Sequence, residues 1–328
     1  MLAGIACGYL ILATTLNRQS PLRKCSVRIW GFYGPLGSFI AAWGGVAMIT
    51  SAPFDNWWHN AYGLDVKILS PPHMVLAMGI VAVHAGVLIL ILGQMNRAEG
   101  PLGRRLRALF LYTGGLILIS LTVLQMEITT RSDMHTVHFY RLVAMVAPLV
   151  MAAIAAPVSA AGGFRWGATT VAGVYTTIVL LMSWILPLFP AEPKLGPVYQ
   201  QVTQFIPPEF PRLLLAPAIC LDLLWRHTAG WGMGRRALIS AAVFLAVFAA
   251  VQWPFADFLM SPAARDWFFG AKYFGYYVHP NSVWKRYQFL ATERGAGFWG
   301  EAAMALLTAT LAAWVGLAWG NWMQRIRR

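Results

Sequence analysis

The sequence predicts an all-α fold, a polytopic integral membrane helix bundle of about nine transmembrane helices. Two compositional observations and one of order predict it. Of the 328 residues, 58% are hydrophobic and only 11% are charged, whereas a soluble domain carries about 25% charged residues. The apolar residues fall into long runs near the length of a bilayer crossing. The basic residues fall between alternate runs, which is the pattern of cytoplasmic loops.

Taken in order, the spans expected are 2–16, 30–51, 73–95, 107–126, 140–162, 166–188, 212–226, 236–256 and 298–322. The first has no basic residues ahead of it, so it reads as a short transmembrane helix rather than a signal peptide. Arg18, Arg23, Lys24 and Arg28 then mark a cytoplasmic loop. Arg97, Arg104 and Arg105 mark the next, followed by Arg165, by Arg226 with Arg235 and Arg236, and by Arg325, Arg327 and Arg328 in the tail. This alternation sets the N-terminus outside and the C-terminus in the cytoplasm. Residues 1–328 thus read as a single transmembrane domain with extracytoplasmic loops at 52–72, 127–139, 189–211 and 257–297. A bacterial cytoplasmic (inner) membrane is the expected location, with the lipid bilayer as the first partner.

The net charge of +13 would raise nucleic acid as a partner in a soluble protein. Here the loop rule accounts for it, and no nucleic acid is expected. Cys7, Cys25 and Cys220 are too scattered for a disulfide framework or a cysteine metal site.

The loops read as outside carry most of the metal-capable side chains. Asp55 and His59 are four apart, one helical turn. Pro71 and Pro72 suit a helix start, where a missing N–H costs nothing, and set His73 at the mouth of the next helix. Two imidazoles and a carboxylate bind copper, zinc or iron and leave coordination positions open. The alternative is that Asp55 caps a helix and that Trp57 and Trp58 belong to an interfacial belt. A second candidate metal group, able to complete the first site or to form one of its own, contains Glu127, Asp133, His135 and His138, with His135 and His138 three apart and Met126 and Met134, whose thioethers favour Cu(I), nearby. Its alternative is a solvated loop in which Ser132 or Asp133 caps the following helix.

His84 lies inside the third span, eleven residues after His73. That spacing puts both on one helix face roughly 16 Å apart. A proton relay, a haem ligand or an interhelical bond are its readings, and haem is disfavoured because no second span carries a histidine. Asp222 is four residues before Arg226, the spacing of a helical ion pair. Glu301 opens the last span and is assigned no role.

The order Asp55-x-x-Trp58-His59, then Asp65, then Pro71-x-His73 resembles a segment of the C subunit of the particulate methane and ammonia monooxygenases, Asp-x-x-Trp-His-x5-Asp-x4-Pro-x-His. This sequence has one more residue between Asp65 and His73. The resemblance ends there: that subunit has fewer spans, and its second metal motif has no counterpart here. It implies that Asp55, His59 and His73 are copper ligands. It further implies an oxygenase of a small apolar substrate, with an electron donor such as quinol and with other membrane subunits as partners. Two further classes stay open, a transporter of a metal ion or small solute and a non-catalytic accessory subunit of a membrane complex.

Overall fold

The computed structural model describes all residues except 64–68, 130–135, 161–163, 193–202, 208–210, 265, 270–295 and 327–328. The described chain is helical, with nine α-helices and one small hairpin. Seven helices are long and apolar enough to cross a membrane, and the protein is an integral membrane helix bundle. The described residues group into two compact units, 1–120 with 322–328, and 121–321.

The first unit begins with α1, Leu2–Leu16. A two-stranded antiparallel hairpin follows, β1 (Val27–Ile29) and β2 (Phe32–Gly34), with Ile29 opposite Phe32. Its turn is Trp30-Gly31, both with positive φ, as a two-residue hairpin turn requires. Thr15 ties it to α1: the Tyr33 N–H donates to Thr15 Oγ1 at 2.8 Å, and the Thr15 hydroxyl lies 3.2 Å from the Tyr33 carbonyl. Arg23 stacks over the Tyr33 ring at 4.0 Å. The expected span 30–51 is corrected here. Residues 30–34 belong to the hairpin, and α2 runs from Leu36 to Tyr62.

Residues 52–62, expected in a loop, are therefore the last three turns of α2. The helix continues through Pro53, although proline removes an N–H and crowds the preceding turn. Two hydroxyls of the preceding turn bond back to carbonyls of their own helix, though not to the Ile49 carbonyl that Pro53 leaves without its helical donor. Thr50 donates to the Val46 carbonyl at 3.0 Å and Ser51 to the Met48 carbonyl at 2.8 Å. Asp55 thus lies inside a helix, not at a helix start.

Helix α3, Pro71–Met95, begins at the proline pair with Ser70 as N-cap. It packs antiparallel on α2 along a glycine seam. Gly44 meets Gly79 and Gly37 meets Gly86. Each pair of positions is seven residues apart in its own helix, and a seven-residue period keeps one stripe facing a partner in a left-handed crossing. A Cβ on Gly79 would lie 2.8 Å from the Gly44 carbonyl oxygen. Gly4 of α1 approaches Gly45 of α2 in the same way. Helix α4 spans Gly100–Thr129. Asn96, just past α3, donates to the Met323 carbonyl at 2.9 Å, so the tail lies at the end of α3 opposite Ser70.

In the second unit, α5 (Val137–Ala160) is the most enclosed span, with Ala144, Ala147, Val150, Met151 and Ala155 buried. Its alanine face admits α9, Ala296–Met323: a Cβ on Gly320 would lie 2.6 Å from the Ala156 methyl. Helices α6 (Gly167–Ile185), α7 (Leu215–His227) and α8 (Met233–Met260) complete the unit. Buried Asp222 of α7 caps the start of α6. It accepts the Ala168 N–H at 3.1 Å, the Thr169 N–H at 2.8 Å and the Thr169 hydroxyl at 2.7 Å. Arg226, expected as its partner, donates instead to the Arg165 carbonyl at 3.0 Å. A carboxylate is stabilised more by the exposed N–H groups of a helix start than by one solvated guanidinium.

Candidate metal centre

The glycine seam fixes α2 against α3 and so brings the C-terminal turns of α2 beside the first turn of α3. Asp55 is the hub. Its Oδ2 lies 3.5 Å from His59 Nε2 and its Oδ1 lies 3.7 Å from His73 Nε2. All three side chains are about one-third exposed. The other ring nitrogen of each histidine is held separately. His59 Nδ1 donates to the Gly63 carbonyl at 3.1 Å, and His73 Nδ1 is bonded to Ser70 Oγ at 2.9 Å.

Local chain chemistry sets up both bonds. Gly63 follows α2 with φ +84, a conformation costly for any side chain. It returns its own N–H to the His59 carbonyl at 2.9 Å while its carbonyl takes the His59 ring. Ser70 stands at the N-cap of α3 but makes no side-chain cap bond to the backbone. Its hydroxyl goes to the His73 ring instead.

A carbonyl only accepts, so the bond to Gly63 puts a proton on His59 Nδ1. In the neutral ring, Nε2 then presents a lone pair toward the Asp55 carboxylate. The 3.5 and 3.7 Å separations are longer than hydrogen bonds. Asp55 Oδ1 is shut off from solvent and accepts no hydrogen bond among the described residues. At His59, lone pairs facing across such a gap are compatible with a cation between them, either an imidazolium proton or a metal ion; at His73 the Ser70 hydroxyl can donate or accept, so the geometry fits either tautomer of that ring.

Each imidazole faces a different oxygen of Asp55, so the trio forms a carboxylate-bridged row. Among the described residues, no three His, Cys, Asp or Glu side chains close into a metal-holding group. Aromatic rings of the same turns of α2 stack on one another: Trp57 contacts Phe54 at 5.9 Å, and Trp58 lies 4.5 Å from Tyr62.

Of the other sequence candidates, Asp65, Asp133, Met134 and His135 lie outside the described residues, as does most of the loop at 257–297. His138 belongs to the other unit and is bonded through Nδ1 to Arg141 at 2.9 Å. A guanidinium only donates, so His138 Nδ1 accepts and the neutral ring carries its proton on Nε2. In that arrangement it offers a metal no lone pair. Arg141 also pairs with Glu301 at 2.9 Å. His84 Nδ1 donates to the Ile80 carbonyl of its own helix at 2.9 Å.

Sequence reasoning missed Gly63, Ser70 and the glycine seam. A glycine just past a helix end is a recognisable signal. A serine whose hydroxyl turns to a side chain rather than the backbone is not. The chain matches no protein-family model, no curated protein and no solved structure.

Proposed function

We propose that this chain is a membrane metalloprotein that binds a copper ion between Asp55, His59 and His73 at the extracytoplasmic surface. One observation carries the reading: two imidazole nitrogens face the two oxygens of one carboxylate at 3.5 and 3.7 Å. Donors bound at about 2.0–2.1 Å around a tetrahedral ion lie roughly 3.3 Å apart, close to each of these two separations, and holding one ion would require the two imidazoles to close toward one another around the carboxylate. The orienting bonds from Gly63 and Ser70 support it, because metal-ligating histidines donate their second ring N–H to a carbonyl or an oxygen partner. Imidazole and carboxylate together suit copper, zinc and iron. The resemblance of Asp55–His73 to the monooxygenase C subunit selects copper among them.

The same resemblance supports a further step, oxygenation of a small apolar substrate with electrons from a membrane donor such as quinol. Copper would supply the redox chemistry with dioxygen. The chain's own residues would hold it, keep both rings oriented and wall the approach with Phe54, Trp57, Trp58 and Tyr62.

The orientation proposed is nine crossings with the N-terminus outside and the C-terminus in the cytoplasm, in a bacterial inner membrane. The arginine-bearing loops support it. So does the Asn96–Met323 bond, which holds the basic tail at the end of α3 remote from Asp55.

The test is elemental analysis of detergent-purified protein beside His59→Ala, followed by electron paramagnetic resonance. Near-stoichiometric copper that is lost in the variant supports the site. Absence of bound metal after reconstitution with copper, zinc and iron overturns it and leaves the accessory and transport readings.

A further inference from the structure

The second unit gathers arginines at one corner, where α6 starts, α7 ends and α8 starts. Asp222 draws the start of α6 onto α7. Arg226 at the end of α7 then stacks over the Trp166 ring at 4.0 Å and bonds the Arg165 carbonyl. Arg235, in the first turn of α8, lies over the Trp231 ring at 3.9 Å. Arg236 lies 5.8 Å from the centre of the Trp225 ring, and Trp225 is itself pinned by its indole N–H to Ser240 Oγ at 2.9 Å.

Among the described residues no ion pair to a carboxylate is formed at this corner, and Arg226 acts on Asp222 only at longer range. Asp222 is the sole acidic residue between 210 and 256, and its oxygens are already occupied by the start of α6. The Arg236 Nε–H is buried and has no acceptor among the described residues. A buried, unmatched guanidinium donor is costly. Stacked arginines present fixed planar forks suited to phosphate oxygens.

We infer that this corner binds the phosphodiester headgroup of an anionic phospholipid. The lipid is favoured over a soluble phosphate because the arginines lie at the ends of apolar helices, at the level where headgroup phosphates sit. Their ring partners are tryptophans, which concentrate at that depth. The site is distinct from the Asp55 row and does not depend on it.

Native mass spectrometry of the full chain with phosphatidylglycerol or phosphatidylcholine tests the inference. Wild type should retain phosphatidylglycerol preferentially, and Arg226→Gln with Arg236→Gln should weaken retention, by roughly fivefold per arginine. Arg226→Lys with Arg236→Lys should keep part of it. Arg97→Gln, outside this corner, should leave it unchanged. Equal retention of both lipids by wild type would overturn the proposal, and this arm needs no variant to fold. So would an equal loss in Arg97→Gln, which would mean diffuse charge. Displacement by millimolar inorganic phosphate would reassign the corner to a soluble anion and overturn the lipid assignment.

Discussion

Gly44 of α2 and Gly79 of α3 pack backbone against backbone. A Cβ on either would lie 2.7 or 2.8 Å from the other's carbonyl oxygen. Substitution there must push the helices apart. Gly79→Val should therefore destabilise the protein, by about 1–3 kcal/mol as overpacking does, and should weaken metal retention because Asp55 and His73 sit on the two separated helices. Gly173→Ala, where added bulk meets nothing within 4 Å, should change neither. Thermal unfolding in detergent, read by circular dichroism, compares them. Equal melting temperatures would remove the seam as the positioning device.

His59→Ala should lower bound metal far more than His227→Ala. His227 ends α7, while His59 faces Asp55 at 3.5 Å. Elemental analysis of the two variants, purified side by side, decides it. Matching metal content in both would discard the Asp55 row as a metal site.

Ser70→Ala should reduce metal affinity about 10–100-fold, the usual effect of losing an orienting partner. The fold should hold, because the Ser70 side chain makes no backbone cap. Ser70→Thr, which keeps the hydroxyl, should recover most of the affinity. Competition with a calibrated chelator measures both. Unchanged affinity in Ser70→Ala would show that the His73 ring needs no such support.

Asp222→Ala should cost about 1–3 kcal/mol, since it strips two backbone donors and a hydroxyl of their acceptor at a buried helix start. Asp222→Asn keeps an acceptor oxygen and should cost less. Denaturant titration in mixed micelles ranks the three proteins. An alanine variant as stable as wild type would mean that water replaces the cap.

Native Cys25 is exposed and lies among Arg23, Lys24 and Arg28. It should react with a membrane-impermeant maleimide only from the cytoplasmic side. A cysteine placed at Glu192, in the loop between α6 and α7, should react only from outside. The reverse pattern would invert the proposed orientation and move the Asp55 row to the cytoplasmic surface.

The sequence disclosed the helical class because long apolar runs leave few alternatives in a bilayer. It located α3 through its proline pair, and it paired Asp55 with His59 through a four-residue spacing. It did not disclose the hairpin, because Trp30-Gly31 opens an apolar stretch and reads as the start of a span. Nor did it disclose that α2 passes through Pro53, which locally argues for a break and is overridden by the packing of α2 on α3. The contact of His73 with Asp55 was legible only as a shared depth. Its register comes from Gly37, Gly44, Gly79 and Gly86, whose meaning appears once two helices are laid together.

The cap that Asp222 places on α6 also orders events during synthesis. Thr169 leaves the ribosome 53 residues ahead of Asp222, a delay of roughly 3–10 s at ordinary elongation rates. Through that interval the first N–H groups of α6 depend on water or headgroups for acceptors. The start of α6 therefore stays at the wet surface until α7 arrives, and the two helices mature together. A ribosome-arrested chain ending before residue 215 should leave Ala168 open to backbone hydrogen exchange. One extended far enough for α7 to clear the ribosome should protect it.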